Sequence, residues 1–240
     1  MELNTRQVNA VERVNQGLRA FFGKVYNYMA GGLVLSAIMA YIASHEPVIQ
    51  WLYTVNNHSV SLSALGWIVS LAPLILVFML GSAVNHSNPQ KAAVLFWTLS
   101  ALIGLSLGNV FIVYTEASVA QTFLVTAGTF LALSIYGSST KRDLSGFGSF
   151  LFMGLIGLIL ASIVNIFLKS SMTSFVISVI GVMIFAGLTA YDTNRLKLMY
   201  ENASSEDQQK AFAISGALSL YLDFINLFFY LLHFFGNERK

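Results

Sequence analysis

The sequence predicts an all-α membrane protein built as a bundle of seven transmembrane helices. Of the 240 residues, 56% are hydrophobic and only 10% are charged, whereas about 25% of residues are charged in ordinary soluble domains. Apolar runs of about 20 residues recur along nearly the whole chain, and a helix of that length spans a bilayer. The runs are continuous rather than alternating, which favours helices because a helix satisfies its own backbone hydrogen bonds.

The elements follow in order along the chain. Residues 1–20 are polar and mixed in charge, so we expect an N-terminal cytoplasmic segment, either an amphipathic helix on the membrane surface or a solvated tail. Residues 21–236 form the predicted helical domain, and 237–240 form a short tail. The predicted spans are 25–43, 65–85, 92–114, 119–137, 147–168, 174–196 and 212–235.

Small residues in two of the runs fit close helix packing. Gly104 and Gly108 lie one turn apart in the third run, and Gly154 and Gly157 lie close together in the fifth. The polar loop between the last two runs contains Ser205, and we expect it to cap the final helix with Gln208, three residues on.

Basic residues predict the orientation, because cytoplasmic loops of membrane proteins are rich in Lys and Arg. With the N-terminus in the cytoplasm and seven spans, the inside segments carry ten of them: Arg6, Arg13, Arg19, Lys24, Lys91, Lys141, Arg142, Arg195, Lys197 and Lys210. The outside segments carry three: Lys169, Arg239 and Lys240. Six spans and a re-entrant last segment remain an alternative, since Asp223 and Asn226 interrupt the final run.

Composition argues against several classes of function. The chain has no Cys, four scattered His and a net charge of +2, so we expect no zinc or iron site, no cofactor and no nucleic-acid partner. Nucleophile-elbow, zinc-protease, phosphate-loop and dinucleotide-binding motifs are absent from the sequence. We therefore expect a protein that is not an enzyme and whose surroundings are the lipid bilayer.

Two carboxylates lie where the chain is most apolar. Asp192 is near the end of the sixth run and Asp223 is in the middle of the seventh, while the other acidic residues fall in predicted tails or loops. A charge in hydrocarbon costs several kcal/mol, so a carboxylate there suggests a functional site. In an antiparallel hairpin the two are symmetric about position 207.5 in the polar loop, so they could face each other at one depth. If the turn centres nearer 203, as a Ser205 cap would suggest, their depths differ by about 12 Å.

A facing pair would share one proton and respond to pH, and when ionised it would offer the hard oxygen ligands that Ca²⁺ prefers. Structural interpretations stay open for each residue. Asp192 could form an ion pair with Arg195, three residues on in the same helix. Asp223 could be protonated and hydrogen-bond across helices, for instance with Asn226.

Three segments of the chain resemble the Bax inhibitor-1 family, also called the transmembrane Bax inhibitor motif family, and its bacterial members in particular. They are Ser134-Ile-Tyr-Gly-Ser-Ser-Thr-Lys-Arg-Asp-Leu144, Ala190-Tyr-Asp-Thr-Asn-Arg195 and Leu220-Tyr-Leu-Asp-Phe-Ile-Asn-Leu227. The resemblance implies a seven-helix bundle with the last helix central, in the bacterial inner membrane. It also implies a pH-sensitive Ca²⁺ leak in which Asp192 and Asp223 sense protons and form the gate.

The chain departs from the family in its second run. Some members use an Arg there to latch the aspartate pair, but residues 65–85 contain no Arg or Lys. Asn85, Ser82 or His86 could supply a weaker hydrogen bond instead. In the expected mechanism, a change in protonation of the pair lets a neighbouring helix move and open a path. The second helix is the favoured candidate for this movement.

Two other functions compete with a leak of Ca²⁺ controlled by protons. The chain could be a non-transporting modulator that binds a protease or another membrane protein. It could also be an intramembrane aspartyl protease, although only Tyr191-Asp192 fits the motifs of that class and Asp223 lacks the preceding glycines.

Overall fold

The computed structural model describes residues 2–56, 59–140 and 142–239, including the side chains of 15–54, 61–140 and 142–239. Lys141 and Lys240, two of the basic residues counted for orientation, lie outside the described residues. Nearly all of the described chain is helical. The elements are α1 Glu2–Ala43, α2 Val48–Leu52, β1 Tyr53–Asn56, β2 Ser59–Leu62, α3 Ala64–Asn85, α4 Pro89–Ser106, α5 Gly108–Val113, α6 Glu116–Ser139, α7 Ser145–Leu168, α8 Ser171–Glu201 and α9 Glu206–Phe235.

Seven of the helical segments are long and apolar enough to cross a membrane, which confirms the predicted fold class. They are α1, α3, α4 with α5, α6, α7, α8 and α9. The last helix is central: of its most apolar 18 residues 67% are buried, against 11% to 33% in the other six spans.

The helices do not surround α9 evenly. It packs against α1, α3, α4, α6 and α8, whereas α7 packs chiefly against α8. The expectation that all six other spans enclose the last one therefore needs correction, because α7 lies at the edge of the bundle. A peripheral helix can stay apolar all round, since lipid tails solvate its outer face.

Two sequence-based boundaries differ from the structure. Residue 20 falls inside α1, which runs without a break from Glu2 to Ala43, so the predicted N-terminal segment and the first span belong to one continuous helix over the described residues. The helix α9 is continuous over 30 residues, about 45 Å. The alternative of a re-entrant last segment is therefore wrong, because Asp223 and Asn226 leave the helical hydrogen bonding intact.

The third span is broken, although the sequence predicted one continuous helix. α4 ends at Ser106 and α5 begins at Gly108, with Leu107 between them. The hydroxyl of Tyr53, on a β-hairpin that the sequence did not predict, donates to Leu105 O at 3.0 Å and to Ser106 O at 2.9 Å. The N–H groups of Gly108 and Asn109 face the same hydroxyl. Tyr53 thus satisfies backbone groups that the break sets free.

Close packing fixes the bundle at the predicted glycines of the third span. A Cβ on Gly104 would lie 2.6 Å from the carbonyl oxygen of Ser36, and a Cβ on Gly108 would lie 2.7 Å from the Cβ of Ala43 and 3.0 Å from its carbonyl carbon. The backbones of α1 and α4–α5 therefore touch, as the small residues predicted. Of the two glycines predicted to pack in the fifth span, Gly154 has a close neighbour, Ile184 at 3.2 Å, and Gly157 has none within 4 Å among the described residues.

The start of α9 is capped as the sequence predicts. The Ser205 hydroxyl accepts from Gln208 N at 3.1 Å, and the Gln208 side chain accepts in return from Ser204 N at 2.7 Å. This cap ends the α8–α9 loop at residue 205 and so sets the register in which the two helices pack.

Candidate functional site

The two aspartates line one partly open cavity of about 770 Å³, bounded by α7, α8 and α9. Asp192 is on α8 and Asp223 is on α9, as predicted. The cavity reaches from Gly148, near the start of α7, to the middle of that helix at Ile159. Its polar lining residues are Ser149, Tyr191, Asp192, Arg195, Ser219, Asp223, Asn226 and Tyr230.

The aspartates are offset in depth rather than level. Gly181 packs against the ring of Tyr230, and Leu196 packs against Gly216. In this register Asp192 lies level with Ser219, four residues before Asp223. Asp223 is therefore one helical turn, about 6 Å, further from the α8–α9 loop than Asp192 is. The expectation of equal depth is wrong because the Ser205 cap starts α9 early and shifts the centre of symmetry.

Asp223 is the more deeply buried of the two. Its side chain is 5% exposed, and its Oδ2 atom has no hydrogen-bond partner among the described residues. The predicted interaction with Asn226 is absent, because the Asn226 amide donates to Leu222 O at 2.8 Å instead. Both side chains still face the same cavity. An ionised carboxylate in this position would carry a large desolvation penalty.

Asp192 is only partly buried and has polar neighbours. The Ser219 hydroxyl faces its carboxylate from α9, and Arg195 shares the cavity from the next turn of α8. In the described part of the chain, however, no ion pair within 4 Å joins Asp192 to Arg195, whose side chain is exposed. The structural interpretation of Asp192 as one half of a surface ion pair is therefore not supported.

The residues proposed to replace an Arg latch lie elsewhere. Asn85 is the exposed last residue of α3 and does not line the cavity. Ser82 and His86 are also exposed, and the His86 ring hydrogen-bonds to Ser82 O at 2.8 Å. Of the residues described, none from α3 lines the aspartate cavity. The expectation that the second span borders the pair needs correction, because the neighbouring wall is α7, the fifth span.

The site offers few ligands for a resident metal ion. Calcium takes six to eight oxygen atoms, and two carboxylates with Ser219 and Asn226 hold only six between them, on side chains that are offset along the helices. Within the described ranges, no group of three or more His, Cys, Asp or Glu side chains is placed to hold a metal ion. A cation at Asp192 and Asp223 would keep much of its water, which suits transient passage better than tight binding.

Sequence reasoning missed two polar groups around α9. Ser219 could have been found, because it lies four residues before Asp223 and so shares its helix face. A second, buried set lies against α1 and α4: Tyr221 hydrogen-bonds to Ser36 at 2.7 Å, and Ser36 donates to Ser100 O at 2.7 Å. Nothing in the linear sequence brings these three residues together, since they come from three distant spans.

Comparison with known proteins agrees with this architecture. The family model described as inhibitor of apoptosis-promoting Bax1 matches residues 18–240. The inner membrane protein YbhL of Escherichia coli K12 is 45% identical over 233 residues, covering 96% of this chain and 97% of that protein. An uncharacterized protein of Caulobacter vibrioides is 50% identical over 230 residues, covering 95% and 92% of the two chains. Since the match extends over nearly its whole length, this chain belongs to the Bax inhibitor-1 family.

Proposed function

We propose that this protein is a cation leak of the bacterial inner membrane, with Ca²⁺ as the expected ion, and that protonation of Asp192 and Asp223 controls it. The observation that carries the proposal is a carboxyl oxygen of Asp223 that has no hydrogen-bond partner among the described residues, is buried within the span and faces a cavity that Asp192 also lines. A relative of 45% identity is named an inner membrane protein. The proposal involves no enzymatic activity and no cofactor.

The physical argument begins with the cost of the charge. A carboxylate without a hydrogen-bond partner in an apolar bundle is expensive. That cost falls if the group binds a proton, and it also falls if a cation occupies the cavity. Protons and cations therefore compete for Asp223, and the occupancy of the site by either depends on pH.

The offset between the aspartates suggests an order of events. Asp192 lies one turn nearer to the α8–α9 loop and is the more exposed, so a cation entering from that end meets it first. Arg195 lies nearer still to the loop and would oppose entry of cations unless its side chain stays in solvent. Asp223 then forms the deeper station, at which the proton is lost or gained.

Opening requires a wall of the cavity to move, and α7 is the wall held least firmly. Only 11% of its most apolar 18 residues are buried, and its packing is chiefly with α8. Loss of the proton from Asp223 adds charge to a cavity that α7 closes on one side. We propose that displacement of α7 admits water to that charge and opens the path.

The test is Ca²⁺ flux into proteoliposomes over a pH series, comparing wild type with Asp192→Asn and Asp223→Asn. Each change keeps the shape of the side chain and removes its titration. Asp143→Asn is the matched control, because Asp143 is exposed in the α6–α7 loop. Hydrogen bonds from the Ser145 hydroxyl and N–H hold the pKa of Asp143 below its usual value, so it stays ionised near neutral pH.

We expect wild type and Asp143→Asn to show the same pH-dependent flux, and Asp223→Asn to lose the pH dependence. An unchanged pH profile in Asp223→Asn would rule out the carboxyl as the sensor. If the purified protein shows no flux at any pH, the proposed leak function is wrong. That result would favour the alternative function, a membrane modulator that acts by binding a protein partner.

A further inference from the structure

A second cavity, of about 310 Å³, lies at the opposite end of the bundle from the α8–α9 loop. We call it the outer cavity. Its lining comes from the β-hairpin, the start of α3, the broken third span and the last two turns of α9. The residues are Tyr53, Ser61, Leu62, Ser70, Ile103, Ser106, Leu107, Asn109, Val113 and Phe229. Half of them carry hydroxyl or amide groups, two on the hairpin and three on the spans, so the cavity is polar where the hairpin meets the bundle.

The break in the third span makes this cavity polar. Backbone that leaves the helical pattern inside a membrane is tolerated where it lines protein or a water-filled space. Asn109, two residues after the break, lines the cavity, and its buried Oδ1 atom has no hydrogen-bond partner in the part of the chain described. A buried amide oxygen without a partner loses its hydrogen bonds to water and gains none in exchange, which is unfavourable. A small shift of the side chain toward water in the cavity would remove that cost.

Phe229 connects the outer cavity with the aspartate cavity. It lies three residues after Asn226 and seven after Leu222, so it extends the same side of α9 by one turn. Asn226 and Leu222 line the aspartate cavity, whereas Phe229 lines the outer cavity. Together with Ile103 and Val113, its ring packs against the cluster of buried apolar side chains that α9 forms with its neighbouring helices. Along this face of α9, therefore, one aromatic turn lies between two polar cavities.

We propose that the outer cavity is filled with water and forms the outer mouth of the cation path, and that Phe229 is the apolar barrier between it and the aspartates. The ligands in the outer cavity are neutral oxygen atoms, which suit water and a hydrated cation in transit rather than a tightly held ion. An apolar constriction of this kind blocks ions by excluding water. The barrier rests on the proposed leak, but the aqueous nature of the outer cavity does not.

Thiol labelling tests the cavity without any measurement of flux. The chain has no Cys, so each introduced Cys is the only one in its variant. A charged, membrane-impermeant thiol reagent reacts with Cys in water and not with Cys in lipid. The variants are Ser70→Cys and Asn109→Cys in the outer cavity, with Ser204→Cys as the marker of the α8–α9 loop. Gly128→Cys is the lipid-facing control, since Gly128 is mid-helix, exposed and free of neighbours within 4 Å among the described residues.

We expect Asn109→Cys and Ser70→Cys to react from the membrane face opposite to the one that labels Ser204→Cys. Gly128→Cys should stay unreacted from both faces. Labelling of Asn109→Cys no faster than that of Gly128→Cys would overturn the aqueous cavity.

Phe229→Ala tests the barrier, with Phe228→Ala as the matched control. Both changes remove the same atoms from adjacent positions of α9, but Phe228 packs toward Phe123 on another face and lines neither polar cavity. We expect Phe229→Ala to raise Ca²⁺ flux several-fold over wild type and Phe228→Ala to leave it unchanged.

The two proposals can fail separately. Flux through Phe229→Ala above that of a conducting wild type, with Phe228→Ala at the wild-type level, supports the barrier and the path. If wild type conducts and Phe229→Ala shows no more flux than Phe228→Ala, the barrier is overturned while the leak stands. No flux in wild type or Phe229→Ala overturns the barrier and contradicts the leak, and labelling of Asn109→Cys then decides the aqueous cavity by itself.

Discussion

At the residue scale, Asp223 and Asp192 differ in ways that their sequence contexts do not show. Their presence in apolar runs was enough to single them out, because acidic side chains are costly there. Their unequal exposure and the position of Ser219 beside Asp192 were not predictable, since both depend on how α8 and α9 are packed. Arg195 is three residues after Asp192 and shares the cavity, but in the described part of the chain no ion pair joins the two. Spacing along a helix shows which groups can meet, whereas packing decides which of them do.

Tyr53 has a comparable position at the other end of the molecule, and it gives a prediction about stability. It is 3% exposed, and its hydroxyl bridges the carbonyls of Leu105 and Ser106 at the break in the third span. Burial raises the pKa of Tyr53, so the hydroxyl keeps its proton and can donate. Tyr53→Phe should lower the unfolding free energy by about 1–3 kcal/mol, because it leaves buried backbone groups unpaired.

Thermal unfolding of the purified protein in detergent measures this loss. Tyr41→Phe is the control, since Tyr41 is 59% exposed and its ring, rather than its hydroxyl, contacts His45. Equal stability of the two variants would show that the Tyr53 hydroxyl does not hold the break together.

At the element scale, the sequence predicted which segments are helices more reliably than how they pack. Each span was visible because its apolar run is long, and the start of α9 was visible in Ser205 and Gln208. The break at Leu107 was not visible, because its stabilising partner Tyr53 belongs to a hairpin some fifty residues earlier. The position of α7 was also hidden, since lipid-facing and protein-facing surfaces are equally apolar in a membrane.

The mobility of α7 can be tested by joining it to α8. Gly154 on α7 approaches Ile184 on α8, where an added Cβ would lie 3.2 Å from the Ile184 side chain. The double variant Gly154→Cys with Ile184→Cys places one thiol on each of the two contacting helices, and oxidation tests whether the two thiols join. If opening requires displacement of α7, oxidation should suppress the pH-dependent Ca²⁺ flux and a reductant should restore it.

The single variants Gly154→Cys and Ile184→Cys control for the substitutions themselves, because neither can form the intramolecular bond. Full flux through the oxidised double variant, with the disulfide verified by mass spectrometry, would show that α7 stays in place during opening. Movement would then have to be sought in another wall of the cavity.

At the scale of the whole molecule, the structure explains the basic residue that fits the predicted orientation least well. Arg239 is placed on the outside by seven spans, but its guanidinium pairs with Glu116 at 3.2 Å. Its backbone N–H also donates to Val113 O at 2.8 Å, and Thr115 N donates to Asn237 O at 3.1 Å. The C-terminal tail is therefore docked against the α5–α6 connection, at the end of the bundle opposite the α8–α9 loop. Arg239 thus lies at the end of the bundle, where its exposed side chain is solvated and paired with Glu116 rather than set within the apolar spans.

This geometry predicts that the two termini lie on opposite sides of the membrane, with the N-terminus in the cytoplasm. Alkaline phosphatase is active only outside the cytoplasm. Green fluorescent protein fluoresces in the cytoplasm, but not after export through the general secretory route. We expect the phosphatase to be active when fused after Lys240, and the fluorescent protein to be bright when fused in the α8–α9 loop at Ser204. The loop fusion serves as the internal control, because the excess of basic residues at that end favours the cytoplasm. A bright C-terminal fluorescent fusion with an inactive phosphatase would mean an even number of crossings. It would contradict α9 as a spanning helix, and with it the burial of Asp223 within the membrane on which the proposed leak depends.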